Sequence, residues 1–459
     1  MKPTFKAALI IAICGLLLTA CRRGEQNPQP VAASTPPSAA ESVPITLPVL
    51  DALFADEAFK AELKSKLQLT DDQINALRKI SGQAVTKLHE SNAENQSGSA
   101  EVARQDAIEA IRGVIGPDKA DQLMALARDQ WNKGSEELEA AVVREAEPTM
   151  LTGPNAVPKD TRIVVNIPAF RMDVFAGGTL IKSYKVGIGY PQFPLPQGLR
   201  KAQQIIFNPT WTPPDEPWVK SMRGVAAGES VAAGSKLNPL GPIKIPIGAP
   251  SLIHGGKPLA KIGTFASHGC VGMTNSQVRD FARVLAKASE TDLSDETIAG
   301  YLSRRTKTQV VKLNKLVPVE LRYETIVFED GKLHIYRDVY DQNTNTEETL
   351  RAVFAANGAS FDDLNTEEKA QVLDALNAMS RHLKKQPTPA SDAQNSVNTA
   401  VNANDRKAEA ERQKKLRSQR EIVIEIAKLA GKGYPAPVNL DSGVGTQTSA
   451  LATPATNKP

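Results

Sequence analysis

The chain has 459 residues, of which 41% are hydrophobic and 23% are charged, and its formal net charge is +4. This composition is typical of a globular protein, and so small a charge gives no indication of a nucleic-acid partner, which would need a clustered basic surface. Since domains average roughly 100–200 residues, the length predicts two or three of them.

The N-terminus has the pattern of an export signal. Lys2 and Lys6 precede an apolar run from Ala7 to Ala20, which has the length of a signal-peptide core and is short for a membrane span. The stretch "LTAC", which ends at Cys21, is similar to the bacterial lipobox, in which lipid is attached to the cysteine and the chain is cut just before it. We therefore predict a signal peptide over residues 1–20 and lipidation of Cys21. The alternative is an ordinary signal peptide with an incidental cysteine.

The residue after this cysteine is Arg22 rather than Asp. By resemblance to the enterobacterial sorting rule, that residue favours the outer membrane. We expect an exported lipoprotein that faces the periplasm, with the membrane as a partner through the N-terminal lipid anchor.

Changes in composition predict a multidomain fold. The residues after Cys21 are rich in Pro, Ala and Ser and lack aromatics, as in a flexible tether. The predicted parts are a signal peptide (1–20), the lipobox cysteine with its tether (21–47), an α-helical domain (48–148), a mostly β domain (155–342), a helical extension (343–385), and a low-complexity linker with a charged helix and a disordered tail (386–459).

Two local patterns predict the α-helical domain. Phe59, Leu63 and Leu67 recur every four residues, as on one face of a helix. Thr70 and Gln73 form a capping box at the start of the next helix. We expect this domain to be a spacer without a catalytic role, and we keep open a protein partner for the helical regions.

Runs of β-branched residues separated by turns predict the mostly β domain. The pair at 177–178 is Gly-Gly, and Asp330 with Gly331 is typical of a hairpin turn. Helical spacing appears within this domain from Ser276 to Lys287.

The C-terminal part is predicted to be helical and then disordered. Thr366 to Leu383 has an amphipathic pattern, and Arg406 to Leu429 has the charge pattern of a second helix. The last 25 residues or so have the composition of a disordered tail.

Cys270 is the chemically conspicuous residue of the mature chain. Cys14 would leave with the signal peptide and Cys21 would carry lipid, so Cys270 would have no disulfide partner. Free cysteines are usually small buried hydrophobic residues. In an oxidising compartment, however, a single unpaired thiol needs a functional reason to be present.

Two histidines near Cys270 favour a nucleophilic role. A nucleophilic thiol needs a base, a group that orients the base, and donors for the developing oxyanion. His254 lies in "LIHGG" and His268 in "SHGC", both with glycines that permit sharp turns. We therefore interpret Cys270 as a nucleophile.

The stretch "LIHGGKPLAKIGTFASHGCVGMTN" resembles the signature of the L,D-transpeptidase catalytic domain family of the YkuD type. The upstream segments "YKVGIGYPQFPLPQGL", "FNPTWTPP" and "NPLGP" are similar to further blocks of that family, so that the resemblance covers about 160 to 340. It implies a mostly β L,D-transpeptidase-like catalytic domain with a cysteine nucleophile.

The resemblance also implies roles for single residues. Cys270 would attack a peptide carbonyl, and His254 would be the general base, oriented by the carbonyl of Gly255. The oxyanion site would be shaped by His268, Gly269 and the Cys270 amide, and the turn would be supported by Ser267. Candidate substrate-binding residues are Gly256, Gly272 and Trp211, although packing in a loop or the core is an equal alternative for the tryptophan.

The reaction implied by the resemblance is acyl transfer on peptidoglycan. The donor would be a tetrapeptide stem, whose diamino acid to D-Ala bond Cys270 opens to form a thioester. A stem amine would resolve the thioester into a 3–3 cross-link, a protein lysine would give protein attachment, and water would give carboxypeptidase activity. No metal or organic cofactor is implied.

One residue departs from the family pattern. The family usually has Arg where this chain has Gly272, and the lost cation would be expected to act near the substrate or the catalytic loop. Lys257, Lys261 and Arg223 are the candidates for replacing that charge. The departure also keeps open a non-catalytic lipoprotein that binds peptidoglycan.

Overall fold

A computed structural model provides the structure of the protein. It describes residues 45–54, 56–90, 100–133, 149–213, 219, 222–248, 251–380 and 419–443. The predicted signal peptide, Cys21 and the tether up to residue 44 lie outside the described residues. Within the described ranges, no helix is both long enough and apolar enough to cross a membrane.

The N-terminal part of the described chain is α-helical, as predicted. Its helices are α1 (Leu47–Leu53), α2 (Glu57–Leu67), α3 (Asp71–Glu90), α4 (Ala100–Ile115) and α5 (Pro117–Lys133). Phe59, Leu63 and Leu67 are buried together in one core, because their four-residue spacing places them on one face of α2.

A reciprocal pair of hydrogen bonds starts α3. The Thr70 amide donates to Gln73 Oε1 at 3.0 Å, and the Gln73 amide donates to Thr70 Oγ1 at 3.2 Å. These bonds satisfy two amides that a helix start otherwise leaves unpaired, so the predicted capping box is confirmed.

The middle of the chain is rich in β-structure. Its strands are β1 (Arg162–Asn166), β2 (Arg171–Ala176), β3 (Thr179–Lys185), β4 (Ile188–Gly189), β5 (Gly198–Phe207), β6 (Ile243–Pro246), β7 (Leu252–His254), β8 (Phe265–Ser267), β9 (Val271–Gly272) and β10 (Gln309–Arg322). Eight of them form one mixed sheet in the order β3-β2-β1-β10-β5-β6-β7-β9. β4 and β8 pair separately, in parallel.

Two helices follow the cysteine, α6 (Asn275–Ala288) and α7 (Asp295–Ser303). α6 begins with a capping box between Thr274 and Gln277, which confirms the helix predicted from Ser276 to Lys287. Its apolar residues, among them Val278 and Phe281, share one core with the sheet. The helix therefore packs on the face of the sheet that buries Ile253 of β7 and Val271 of β9.

A smaller α+β unit follows. Its antiparallel sheet, in the order β11-β12-β13, consists of β11 (Ile326–Glu329), β12 (Lys332–Tyr336) and β13 (Glu421–Glu425). Asp330 and Gly331 have φ of 47° and 77°, which are the left-handed values of a two-residue hairpin turn. The helices α8 (Glu347–Ala356) and α9 (Thr366–Ser380) share a core with this sheet. The hairpin that we included in the mostly β domain thus contributes to a separate core.

The predicted charged helix over 406–429 is wrong where the structure describes it. Residues 421–425 form β13, which pairs with β12, and residues 427–429 form a short 3-10 turn. Ile424 and Leu429 are buried in the core of the α+β unit. The strand forms because its backbone can pair with the edge of β12. Since the two strands are far apart along the chain, the residues near 421–425 carry no local sequence pattern that indicates this pairing. Residues 406–418 lie outside the described chain.

The predicted disordered tail is also ordered over its first residues. Val438 accepts a hydrogen bond from the Ser183 amide at 2.9 Å, and Asp441 exchanges two backbone hydrogen bonds with β3. Arg171 forms an ion pair with Asp173, a second one with Glu329, and donates to the carbonyl of residue 435. These contacts fasten the segment up to residue 443 onto the large sheet. Residues 444–459 lie outside the described chain.

Candidate active site

The register of β7 and β9 brings His254 and Cys270 to one face of the sheet. The strands are parallel, with Ile253 opposite Val271 and His254 opposite Gly272. Ile253 and Val271 are buried in the core, so the residues that alternate with them point to the other face. Strands lie about 4.8 Å apart and two residues span about 6.6 Å, so that an imidazole and a thiol in these positions can meet above the sheet.

His254 is held in one tautomer. Its Nδ1 lies 2.7 Å from the carbonyl oxygen of Gly255. Because a carbonyl oxygen only accepts, Nδ1 carries the proton and Nε2 keeps a lone pair. The structure therefore places Gly255 in the orienting position that the sequence predicted.

Burial keeps the His254 imidazole neutral. The side chain is 3% exposed. Burial lowers its pKa to about 3, and the positive charges of Lys257 and Lys244 act in the same direction. Hydrogen bonds with the backbone of Gly255 and Leu240 oppose this shift and are outweighed. A neutral imidazole is the form that can accept a proton from a thiol.

Cys270 is a free, half-buried thiol that directly precedes β9. Burial raises its pKa, whereas a hydrogen bond from the backbone of Leu252 and the positive charge of Lys257 lower it. The thiol therefore needs help to ionise, and this help comes from Lys257, one of the candidate cations named from the sequence, and from the Leu252 backbone, which the sequence did not indicate.

The loop before Cys270 is held by side-chain hydrogen bonds. The Cys270 amide donates to Ser267 Oγ at 3.0 Å, and the Ser267 hydroxyl donates to the Cys270 carbonyl. Ser251 Oγ donates to the carbonyl of Gly269 at 2.9 Å. Ser267 thus supports the turn, as expected, and Ser251 is a second support that the sequence did not reveal.

This geometry changes one assignment in the oxyanion site. We expected the Cys270 amide to be a donor, but in this structure it is used by Ser267. Gly269, with a φ of 87°, has the left-handed backbone that turns the loop. Its amide has no hydrogen-bond acceptor among the described residues, which makes it the better oxyanion donor of the two.

His268 is positioned by aromatic packing. Its ring meets that of Phe193 edge-to-face at 4.6 Å between centroids and that of Tyr190 at 5.5 Å. The Tyr190 amide donates to the Ser267 carbonyl at 2.9 Å, so the same segment also holds the loop backbone. This packing favours a role in shaping the loop over one in proton transfer.

Residues 160–311 match the family model of the L,D-transpeptidase catalytic domain (YkuD). The match covers less than half of the chain and includes His254, Cys270 and the loop between them. The prediction of a β-rich L,D-transpeptidase-like domain in the middle of the chain, preceded by helices, is confirmed. No curated protein matches the chain.

Three solved structures illustrate the likeness. The chain is 15% identical to the Ldtfm–avibactam carbamoyl enzyme, with a TM-score of 0.22. The aligned part covers 36% of this chain and 49% of that one. It is 15% identical to the catalytic domain of the Enterococcus faecium L,D-transpeptidase, with a TM-score of 0.23 and coverage of 36% and 100%. It is 16% identical to a Mycobacterium smegmatis L,D-transpeptidase, with a TM-score of 0.20 and coverage of 36% and 58%. The chain thus spans about half the length of the first of these structures.

The predicted substrate-binding residues have different surroundings. Gly256 is exposed, has a φ of 82°, and donates its amide to Asn275 Oδ1 at 2.7 Å. A Cβ at Gly256 would stand 2.3 Å from the carbonyl oxygen of Pro239. The glycine is thus required by the turn itself, and Asn275 is a supporting residue that we did not predict.

Trp211 lies in the segment between β5 and β6. Its amide and carbonyl exchange hydrogen bonds with Val231, and the residue is 9% exposed. This placement is that of a residue packed in its own segment, which was the alternative to a place in the cleft. Its contact with substrate stays a prediction.

The helical domain contributes a residue to the cysteine loop. The Trp131 side chain, from α5, is fully buried, and its Cζ2 lies 3.2 Å from where a Cβ on Gly269 would stand. Arg200 of β5 donates to the Trp131 carbonyl. The domain that we expected to be a spacer therefore packs directly on the catalytic loop.

Proposed function

We propose that this protein is a peptidoglycan L,D-transpeptidase with Cys270 as its nucleophile. The observation that supports the proposal is the strand register that puts Cys270 on the same sheet face as an oriented, buried His254, within the residues that match the L,D-transpeptidase catalytic domain. The family-model match of that segment supports transpeptidase activity in general, and we infer the steps below from the geometry.

In the first step, Cys270 Sγ attacks the carbonyl between the diamino acid and D-Ala of a tetrapeptide stem. The thiol proton passes to Nε2 of His254, and the Gly269 amide donates to the oxyanion. When the C–N bond breaks, the protonated imidazole returns the proton to the departing D-Ala amine. The stem remains bound to Cys270 as a thioester.

In the second step, an amine attacks the thioester and regenerates the thiol. A second stem's amine gives a 3–3 cross-link, and a protein lysine gives protein attachment. The carboxypeptidase alternative differs only in that water takes the place of the amine.

The proposed location follows from the sequence alone. We place the protein in the periplasm as a lipoprotein held by lipid on Cys21, where peptidoglycan stems are accessible. Metabolic labelling with a radioactive or alkyne-bearing fatty acid tests this, because the Cys21→Ala variant should lose the label.

Purified disaccharide-tetrapeptides test the reaction. With the intact mature chain we expect 3–3 dimers and released D-Ala by mass spectrometry, and with Cys270→Ser neither product. Trimmed tripeptides without dimers would assign the carboxypeptidase reaction instead.

A covalent probe separates catalysis from binding. Imipenem is bound in the solved structure of LdtMt1, and it should add once to this chain and not to Cys270→Ser. Sacculus binding without an adduct or any product would contradict the proposal and assign the binding function that Gly272 kept open.

A further inference from the structure

The side chain of Lys257 lies across Gly272. The Lys257 amide donates to the Met273 carbonyl at 3.1 Å, which fixes this residue beside the end of β9. A Cβ on Gly272 would stand 2.8 Å from Lys257 Cγ, 3.4 Å from Cδ and 3.1 Å from Cε. Contacts as short as the first are not found in proteins, so any side chain at position 272 would displace the lysine.

This position brings the lysine to the nucleophile's side of the sheet. Cys270 directly precedes β9 and is two residues from Gly272, so the alternation of side chains along the chain puts both on the face opposite to Val271. The positive charge of Lys257 lowers the pKa of Cys270, and the thiolate in turn raises the pKa of Lys257, although burial lowers it more. The other charged groups that act here are Lys261, beside Lys257, and Lys244, which pairs across the sheet with His254.

Lys257 also acts on the base. It lowers the pKa of His254, in the same direction as burial does. The charge of Lys257 thus favours the Cys270 thiolate over the thiol and disfavours a resting imidazolium on His254.

We propose that Lys257 is a positioning residue that stabilises the Cys270 thiolate, and that position 272 is glycine to admit the lysine side chain. Lys257 then supplies from the neighbouring loop the cation that is absent at position 272. Arg223 is exposed and does not have this contact with Gly272. The proposal rests on the proposed function only in taking Cys270 as the nucleophile.

Alkylation of Cys270 by iodoacetamide measures the thiolate directly. The rate is followed from pH 5 to 10 on the full mature chain, by mass spectrometry of the peptide that carries Cys270. The midpoint of this pH–rate profile gives the pKa of the thiol. A nearby positive charge lowers the pKa of a thiol by about one unit or more, so Lys257→Met should raise the midpoint by about one pH unit and slow alkylation at pH 7 by about tenfold. Lys257→Arg should keep a midpoint near wild type, since it retains the charge.

Lys261→Met is the matched control, because it removes the same charge from the same loop. We expect its midpoint to stay near wild type. An unchanged midpoint in Lys257→Met, or an equal shift in Lys261→Met, would overturn the proposal.

A charge swap tests the role of Gly272. Gly272→Leu should slow alkylation, because its side chain displaces Lys257 and brings no positive charge of its own. The double variant Lys257→Ala with Gly272→Arg should have a lower midpoint than Lys257→Ala, and an equal midpoint would refute the exchange of the two positions. Should the position 272 variants fail to fold, Lys257→Met still decides, since it leaves Gly272 intact.

The two proposals fail separately. Alkylation needs no peptidoglycan, so a shifted midpoint without any muropeptide product would sustain the role of Lys257 and refute the transpeptidase. Muropeptide products from the wild type, with an unshifted midpoint in Lys257→Met, would support the transpeptidase and refute the role of Lys257.

Discussion

Trp131 of the helical domain packs on Gly269, the residue that precedes the candidate nucleophile. The indole Cζ2 lies 3.2 Å from the position that a Cβ on Gly269 would take, and the Trp131 carbonyl accepts from Arg200. Arg200 is 2% exposed, and burial lowers its pKa to about 10. The contact joins the helical core to the cysteine loop, so the two should respond together to mutation.

Trp131→Ala tests this coupling. Truncating a fully buried tryptophan costs about 3–5 kcal/mol, and here it also removes the support of Gly269. We expect a lower melting temperature and a severalfold slower reaction of Cys270 with an acylating probe. Phe59→Ala is the control, since Phe59 is buried in the same helical core but lies on α2. Equal effects of the two variants on the Cys270 reaction would argue against a specific contact.

Ser267→Ala should loosen the cysteine loop. The hydroxyl accepts from the Cys270 amide and donates to the Cys270 carbonyl, so the variant loses two hydrogen bonds worth about 1 kcal/mol each. We expect a small drop in melting temperature but a large drop in muropeptide turnover. Ser303→Ala, which removes a hydroxyl bound to the Gly300 carbonyl on α7, should change neither turnover nor adduct formation. Full turnover by Ser267→Ala would show that the loop keeps its shape without the hydroxyl.

His254 should make the protein less stable in acid. Its pKa is lowered to about 3 in the folded chain, against 6.5 ordinarily. Between these values the unfolded chain binds a proton that the folded chain does not. The contribution of the neutral His254 to the free energy of unfolding is therefore fully present above pH 6.5, and it falls as the pH drops toward 3, by up to about 1.4 kcal/mol per pH unit. Urea unfolding at several pH values measures the slope. His254→Gln, which cannot bind a proton, should have a shallower dependence, and identical slopes would contradict a buried neutral imidazole.

The C-terminal strand should be necessary for stability. A chain that ends at residue 418 lacks β13 and with it Ile424 and Leu429, which are buried in the α+β core. It also loses Arg420, which donates to the Gly263 carbonyl in the loop between His254 and Cys270. We expect a loss on the order of 5 kcal/mol and rapid proteolysis of α8 and α9. A chain that ends at residue 443 keeps these contacts and is the control. Equal protease resistance of the two chains would contradict the docking.

Short-range patterns were predictable because their causes are local. The capping box of Thr70 and Gln73, the hairpin turn at Asp330 and the helix after the cysteine each depend on a few adjacent residues. The strand over 421–425 was mistaken for part of a helix, because its formation depends on the edge of β12, far away along the chain. The spacing of charged residues in this segment suggests a helix, and pairing with β12 makes the strand more stable than that helix.

By itself, the sequence determined the chemistry of the candidate site: a thiol, two histidines and the turn-forming glycines, within a stretch of recognisable family pattern. Tertiary structure alone decided how that chemistry is tuned. Lys257 lies over Gly272, Ser267 uses the Cys270 amide, and Trp131 closes on Gly269. These contacts join residues whose positions in the sequence do not indicate that they meet in the fold. They exist because side-chain volume and hydrogen-bonding capacity must be satisfied where the folded backbone brings the segments together.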